Sequence, residues 1–144
     1  MTAKEYLSQA YRIDQRINSK LEQVATLREL AVKATSTLSD MPHNHMRNAS
    51  SMENIICKIV GLEDEINTDI DRLVDLKREI SGVINSVEKP EYHLLLELRY
   101  QNYKTWEEIA EMMDYSWRNI HYIHAKALKA VELDSLFHCF AQST

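Results

Sequence analysis

Glycine and proline are almost missing from this chain, with two of each in 144 residues. A β-sandwich or barrel needs both at its many turns, so their scarcity argues against β architecture and for long regular elements. Cysteine is equally sparse. Cys57 and Cys139 lie far apart without a CxxC pattern, which points to reduced thiols rather than a disulfide framework or a zinc site. No apolar run approaches the roughly 20 residues of a membrane span. The start, MTAKEYLSQAYRIDQR, is charged and amphipathic, unlike a signal or transit peptide, so a cytoplasmic protein with no membrane partner is expected. Glycine-rich phosphate loops, nucleophile elbows and paired catalytic carboxylates do not stand out, and the expectation is a protein without enzymatic activity, cofactor or metal. What remains is 44% hydrophobic residues, enough for an all-α core.

The net charge of −5 weighs against nucleic-acid binding. Its distribution softens that objection. Residues 1–88 carry 11 basic and 14 acidic side chains, residues 89–131 carry 6 of each, and the tail adds Glu132 and Asp134. Between Tyr115 and Val131 there is no acid, while Arg118, Lys126 and Lys129 are basic. A local positive face is what phosphate contact requires, whatever the sign of the whole molecule.

From Tyr6 the apolar positions recur in steps of three and four: Ala10, Ile13, Ile17, then Val24, Leu27, Ala31 and Ala34. Lys20 fills the slot where an apolar residue is due. A second stripe runs Ile55, Ile59, Leu62, Ile66, then Leu73, Leu76, Ile80, Val83 and Val87, with Asp69 in its interrupted slot. Sustained spacing of this kind is a coiled-coil seam, and each helix of about 32 residues would be roughly 50 Å long. The polar stretch between them, about 35–51, reads as a loop, short enough to make an antiparallel hairpin of residues 1–88. Pairing Ala34 with Ile55, Leu27 with Leu62 and Ile13 with Leu76 then sets Lys20 opposite Asp69. The two polar interruptions are predicted to meet as a register-fixing ion pair.

The pattern breaks near Pro90, which suits the first turn of a new helix. That helix is predicted to reach about Asn102, with Leu94, Leu95, Leu98 and Tyr92 inward. Thr105 and Glu108 have capping-box spacing, opening a short helix to about Met112. Asp114-Tyr115 makes a turn, and Ser116 caps a longer helix ending near Glu132. Short helix, tight turn, longer helix is the helix-turn-helix layout, here a three-helix unit over residues 89–133 with a tail over 134–144. Ile109, Ala110, Met113, Ile120, Ile123 and Leu128 have the spacing to pack its helices together. Lys104, Thr105, Ser116, Trp117, Arg118, Asn119, His121, Tyr122, Lys126 and Lys129 are left as candidate DNA-contacting residues. Early residues of such a helix meet base edges and later ones meet phosphate. Arg118 is the candidate for bidentate guanine contact, with Asn119 and His121 as donors to bases or phosphates.

Residues 100–131, YQNYKTWEEIAEMMDYSWRNIHYIHAKALKAV, resemble region four of bacterial sigma factors. The resemblance rests on Thr105, Glu107-Glu108-Ile109-Ala110, the turn ending in Ser116, then Ile120, Ile123 and Ala125-Lys126-Ala127-Leu128-Lys129. It departs where sigma factors usually carry arginine, glutamate and arginine, slots held here by Trp117, Arg118 and Asn119, and where His121-Tyr122 replace an Arg-Gln pair. The resemblance therefore implies a promoter-reading scaffold with a different target sequence. It covers about a quarter of the chain, and no segment resembles the other sigma regions. A helical amino-terminal half with such a module is similar to the small phage late-gene regulators of the ArpU and RinA kind. That likeness implies a transcriptional regulator, an activator of phage or prophage late genes, in a bacterial cytoplasm. Its partners would be double-stranded DNA, with RNA polymerase and a second copy of the chain as further candidates. The alternatives are a DNA-packaging protein of the small-terminase type and a DNA-free adaptor for polymerase.

Weaker signals have plainer readings. His43 and His45 in a loop without nearby cysteine are weak metal ligands. His121 and His124 sit one turn apart and are expected to face solvent or DNA. Trp106 and Trp117 are expected to pack, and Leu136, Phe137 and Phe140 to form a short helix over the core.

Overall fold

In the computed structural model, residues 1–37 and 45–142 are described, and all their regular structure is helical. The all-α expectation is met: a pair of long helices precedes a set of short ones. Helix α1 spans Ala3–Thr37 and α2 spans His45–Asn85. Helix α3 covers Pro90–Leu96 and continues through a single π turn, Glu97–Gln101. Then come α4 (Trp106–Met113), α5 (Trp117–Glu132) and α6 (Ser135–Ala141). No helix among the described residues is long and apolar enough to cross a membrane.

The long helices reach further than the apolar pattern did. Both ends of the expected loop over 35–51 are helical, because α1 runs to Thr37 and α2 begins at His45. Met, Arg and Ala near the start of α2 are good helix formers, and a segment without an apolar repeat can still be helical. Positions 38–44, including His43, lie outside the described residues.

The chain divides into two compact units, Asp14–Arg72 and Met1–Ile13 with Leu73–Thr144. In the first, Ile17, Val24 and Ile66 are buried, and Leu27, Ala31, Ile55, Ile59 and Leu62 are half-buried. Two helices alone can shield one strip of side chains, and that strip is the predicted seam. Lys20 Nζ sits 2.7 Å from Asp69 Oδ2, with Glu65 at 3.4 Å and Arg16 3.4 Å from the other Asp69 oxygen. The two interruptions do meet. The Lys20 hydrogen bond holds the Asp69 carboxyl below its ordinary range, against the opposing effect of burial. Farther along, Arg28 and Glu63 pair at 2.7 Å on the surface.

In the second unit, α1 buries Ala3, Tyr6, Leu7, Ala10 and Ile13, and the end of α2 buries Ile80, Val83 and Ile84. Leu95 and Leu98 of α3 and its π turn, Ile109 of α4, and Ile120 and Ile123 of α5 form one apolar cluster, against which Tyr92, Trp106, Ala110 and Met113 pack. Leu94, expected inside, is 44% exposed; Leu96 takes its place at 0%. Both residues lie in α3 ahead of the π turn, within a run of three leucines that does not by itself say which member faces inward. On α6, Phe137 is buried with its ring edge-on to Tyr6 at 5.6 Å. Asp134 opens that helix by accepting from the Leu136 N–H at 2.8 Å, and its other oxygen accepts from the Ser86 hydroxyl.

Candidate nucleic-acid interface

The short helices are set by their ends. The Thr105 hydroxyl accepts from the Glu108 N–H at 3.2 Å, and the Glu108 carboxylate accepts from the Thr105 N–H at 3.0 Å. This reciprocal pair satisfies donors that the start of α4 would otherwise leave unpaired. At its other end Asp114 adopts the left-handed conformation with φ 56°. The Tyr115 N–H donates to the Ala110 carbonyl at 3.0 Å and the Asp114 N–H to Glu111 at 3.3 Å. This is a Schellman closure, with aspartate where glycine is commonest. Aspartate tolerates that conformation because its short polar side chain can bond locally. The chain then turns directly into α5, whose first turn is capped by the Ser116 hydroxyl accepting from the Asn119 N–H at 3.2 Å.

Fixed at that start, α5 divides into two faces. Ile120, Ile123, His124, Ala127 and Val131 are buried. Trp117, Arg118, Tyr122, Ala125, Lys126 and Lys129 are exposed. Arg118, Tyr122, Ala125 and Lys129 are spaced by four, three and four, so they form one stripe along the helix. Lys126 lies 4.3 Å from the centre of the Tyr122 ring. Hydrogen bonding between that pair lowers the tyrosine hydroxyl's pKa and raises that of the lysine. The exposed acids of α4, Glu107, Glu108 and Glu111, stand on the neighbouring helix, so the positive face belongs to α5.

His124 is not the solvent-facing residue expected. It is 7% exposed, and its Nε2 lies 2.7 Å from the Tyr100 hydroxyl. Burial first, with Lys4, His121 and Arg99 adding repulsion, pushes its pKa down to about 4. Burial likewise pushes Tyr100 up to about 12. Both groups are therefore neutral at pH 7. One proton is shared across this contact, and the imidazole tautomer sets whether Tyr100 or His124 donates it.

His121 is also less available than expected. Its ring lies 4.6 Å from Trp106 and 4.0 Å from Trp117, and its Nε2 is buried with no hydrogen-bond partner among the described residues. That nitrogen therefore does not reach outward as a donor to bases. Trp106 packs as predicted, whereas Trp117, also expected to pack, is 58% exposed.

The ten sequence-derived candidates thus fall into groups. Trp117, Arg118, Tyr122, Lys126 and Lys129 share the exposed side of α5, and Asn119 is half-buried beside them. Thr105 and Ser116 accept cap bonds, which leaves each hydroxyl proton free to donate elsewhere. Lys104 is half-buried, with its carbonyl accepting from Arg99 at 2.9 Å. Thr105 lines a cavity with Lys4 and Arg99, two cations that sequence reading missed. Nothing in their spacing announces them, since one belongs to α1 and the other to the π turn. Among the described residues no His, Cys, Asp and Glu gather in a metal-holding group. Comparison with protein-family models, with curated proteins and with solved structures returns no match to this chain.

Proposed function

We propose that this chain is a sequence-specific regulator of transcription that lays α5 in the major groove of double-stranded DNA. The observation that carries this reading is the face of α5. It is capped at a tight turn, anchored from behind by Ile120, Ile123, Ala127 and Val131, and free of acids up to Val131, and it presents Arg118, Tyr122, Lys126 and Lys129 outward. In this arrangement Arg118, one residue into the helix, addresses base edges, while Lys126 and Lys129 meet phosphate. Trp117 adds a flat apolar surface for a thymine methyl or a sugar. The resemblance to sigma region four adds RNA polymerase as a second partner, and the likeness to phage late-gene regulators adds activation as the sign of regulation. Likeness to phage late-gene regulators adds a phage or prophage setting in a bacterial cytoplasm.

Selection from random duplex DNA, run in parallel on the wild type and on Arg118→Ala, tests the reading. An enriched motif that the variant loses or relaxes at one or two positions is expected, and its symmetry would report the number of copies bound. Lys129→Ala should instead weaken all sequences alike and reduce the salt slope by about one. Binding that selects no motif, or no binding, would overturn the proposal.

A further inference from the structure

Beside the amino end of α4 lies a cavity of about 280 Å³, lined by Lys4 and Tyr11 of α1, Arg99, Tyr103, and Thr105-Trp106 among others. Among the described residues no carboxylate lines it. Among the described residues neither Lys4 nor Arg99 has an ion-pair partner. Two cations facing one concave space without a counter-charge make a positive potential that an anion would relieve.

Arg99 is already held in place. One of its nitrogens donates to the Lys104 carbonyl at 2.9 Å, and its guanidinium lies 4.4 Å over the Trp106 ring. A guanidinium carries five N–H donors, so most remain for a ligand, and fixing the group beforehand reduces the entropy lost on binding. The remaining surface is aromatic: Tyr103 and Tyr11 meet edge-on at 5.4 Å, and Trp106 closes the wall. Tyr103 has φ 56°, which for a bulky residue is strained backbone. Strain held at a concave, cation-lined place is a mark of a binding site.

We propose that this cavity binds a small anion carrying a flat ring, an aromatic carboxylate or an aryl phosphate. Lys4 and Arg99 take the charge, and the tyrosine and tryptophan rings take the body. Its volume lies at the small end of ligand pockets, which excludes dinucleotide-sized molecules. Trp106 is the link outward, because its ring meets His121, which in turn meets Trp117 at the start of α5. A ligand resting on Trp106 therefore presses on the element assigned above to DNA. That consequence rests on the DNA reading; binding to the cavity does not.

The test uses the full chain with Trp117→Phe, which leaves Trp106 as the sole tryptophan. Its fluorescence is titrated with benzoate, phenyl phosphate, the neutral benzamide and inorganic phosphate, in the absence of DNA. Saturable quenching by at least one aryl anion and none by benzamide is expected. Lys4→Gln, an exposed substitution that leaves the core intact, should weaken that binding about tenfold, the loss of one charge-assisted contact. The proposal is overturned if neither aryl anion saturates, if benzamide binds as well, or if Lys4→Gln has no effect. Inorganic phosphate binding as tightly as phenyl phosphate would also overturn it, and would point to a DNA backbone phosphate as the occupant.

Discussion

The unit Asp14–Arg72 and the unit formed by Met1–Ile13 with Leu73–Thr144 bury their apolar residues to different depths. In the first, no described side chain is fully enclosed: Ile17, Val24 and Ile66 keep 5–6% exposure, while Leu21, Leu30, Val32, Ile56, Val60 and Ile70 are 41–68% exposed. In the second, Leu7, Val83, Ile84, Leu95, Leu96, Ile109, Ile120 and Val131 are at 0%. Two helices can enclose a strip; three or more, crossing one another, enclose a volume. The two-helix unit accordingly sets its register with charge, through Lys20 and Asp69, and the other unit does so with shape. A helix proposed to read DNA needs the second kind of support, and α5 has it.

Truncating the core should break this contrast most visibly. Ile120→Ala is expected to cost about 3–5 kcal/mol, because the site is enclosed on all sides and cannot collapse. Ile66→Ala, at the partly open seam, should cost at least about 1 kcal/mol less. Urea denaturation of both variants checks the order; equal losses would mean that the two units are equally well packed.

The next effect is pH-dependent. His124 stays neutral in the fold until about pH 4, whereas the unfolded chain takes up its proton near the ordinary value of 6.5. Between those values the unfolded state binds more protons, so stability falls as pH drops through that window and is fully present above it. The loss is at most roughly 3 kcal/mol, fully developed only below pH 4. His124→Gln keeps a partner for Tyr100 and removes the titration. Its melting temperature should vary less between pH 7 and pH 5 than that of the wild type, and identical profiles would contradict the assignment.

Caps are worth less. Ser116→Ala and Thr105→Ala should each destabilise by about 1 kcal/mol, and Ser116→Ala should also weaken DNA binding by loosening the first turn of α5. Thermal melts of the two variants check the size of the loss. The smallest net change belongs to the two-helix unit. Lys20→Leu alone should lower the melting temperature by leaving Asp69 unpaired, whereas Lys20→Leu with Asp69→Leu should return close to the wild-type value. Additive losses in that cycle would show that the pair is not coupled.

These differences also explain what could be read from the sequence. The Lys20–Asp69 pair, the Thr105–Glu108 box, the Asp114-Tyr115 turn and the Ser116 cap were legible because each depends on residues at fixed local spacing, or on one repeated seam. The end of α5 at Glu132 was legible for the same reason. The π turn at Glu97–Gln101 was not, since no residue type marks where a helix takes in an extra residue. Nor was the exchange of Leu94 for Leu96 inside, because three consecutive leucines leave the inward one unmarked, nor the positive φ of Tyr103. His124 read as a surface residue because its burial depends on Tyr100, which arrives from the π turn to receive it. The paired cations Lys4 and Arg99 are brought together only by tertiary packing.

The most direct measurement is an NMR titration of the isotope-labelled full chain with a duplex selected by the protein. The account predicts shifts and broadening in the amides of Trp117–Lys129, a larger change at the indole of Trp117 than at that of Trp106, and little change across Asp14–Arg72. Shifts confined to Asp14–Arg72 or to the acidic outer side of α4, with α5 unmoved, would contradict it.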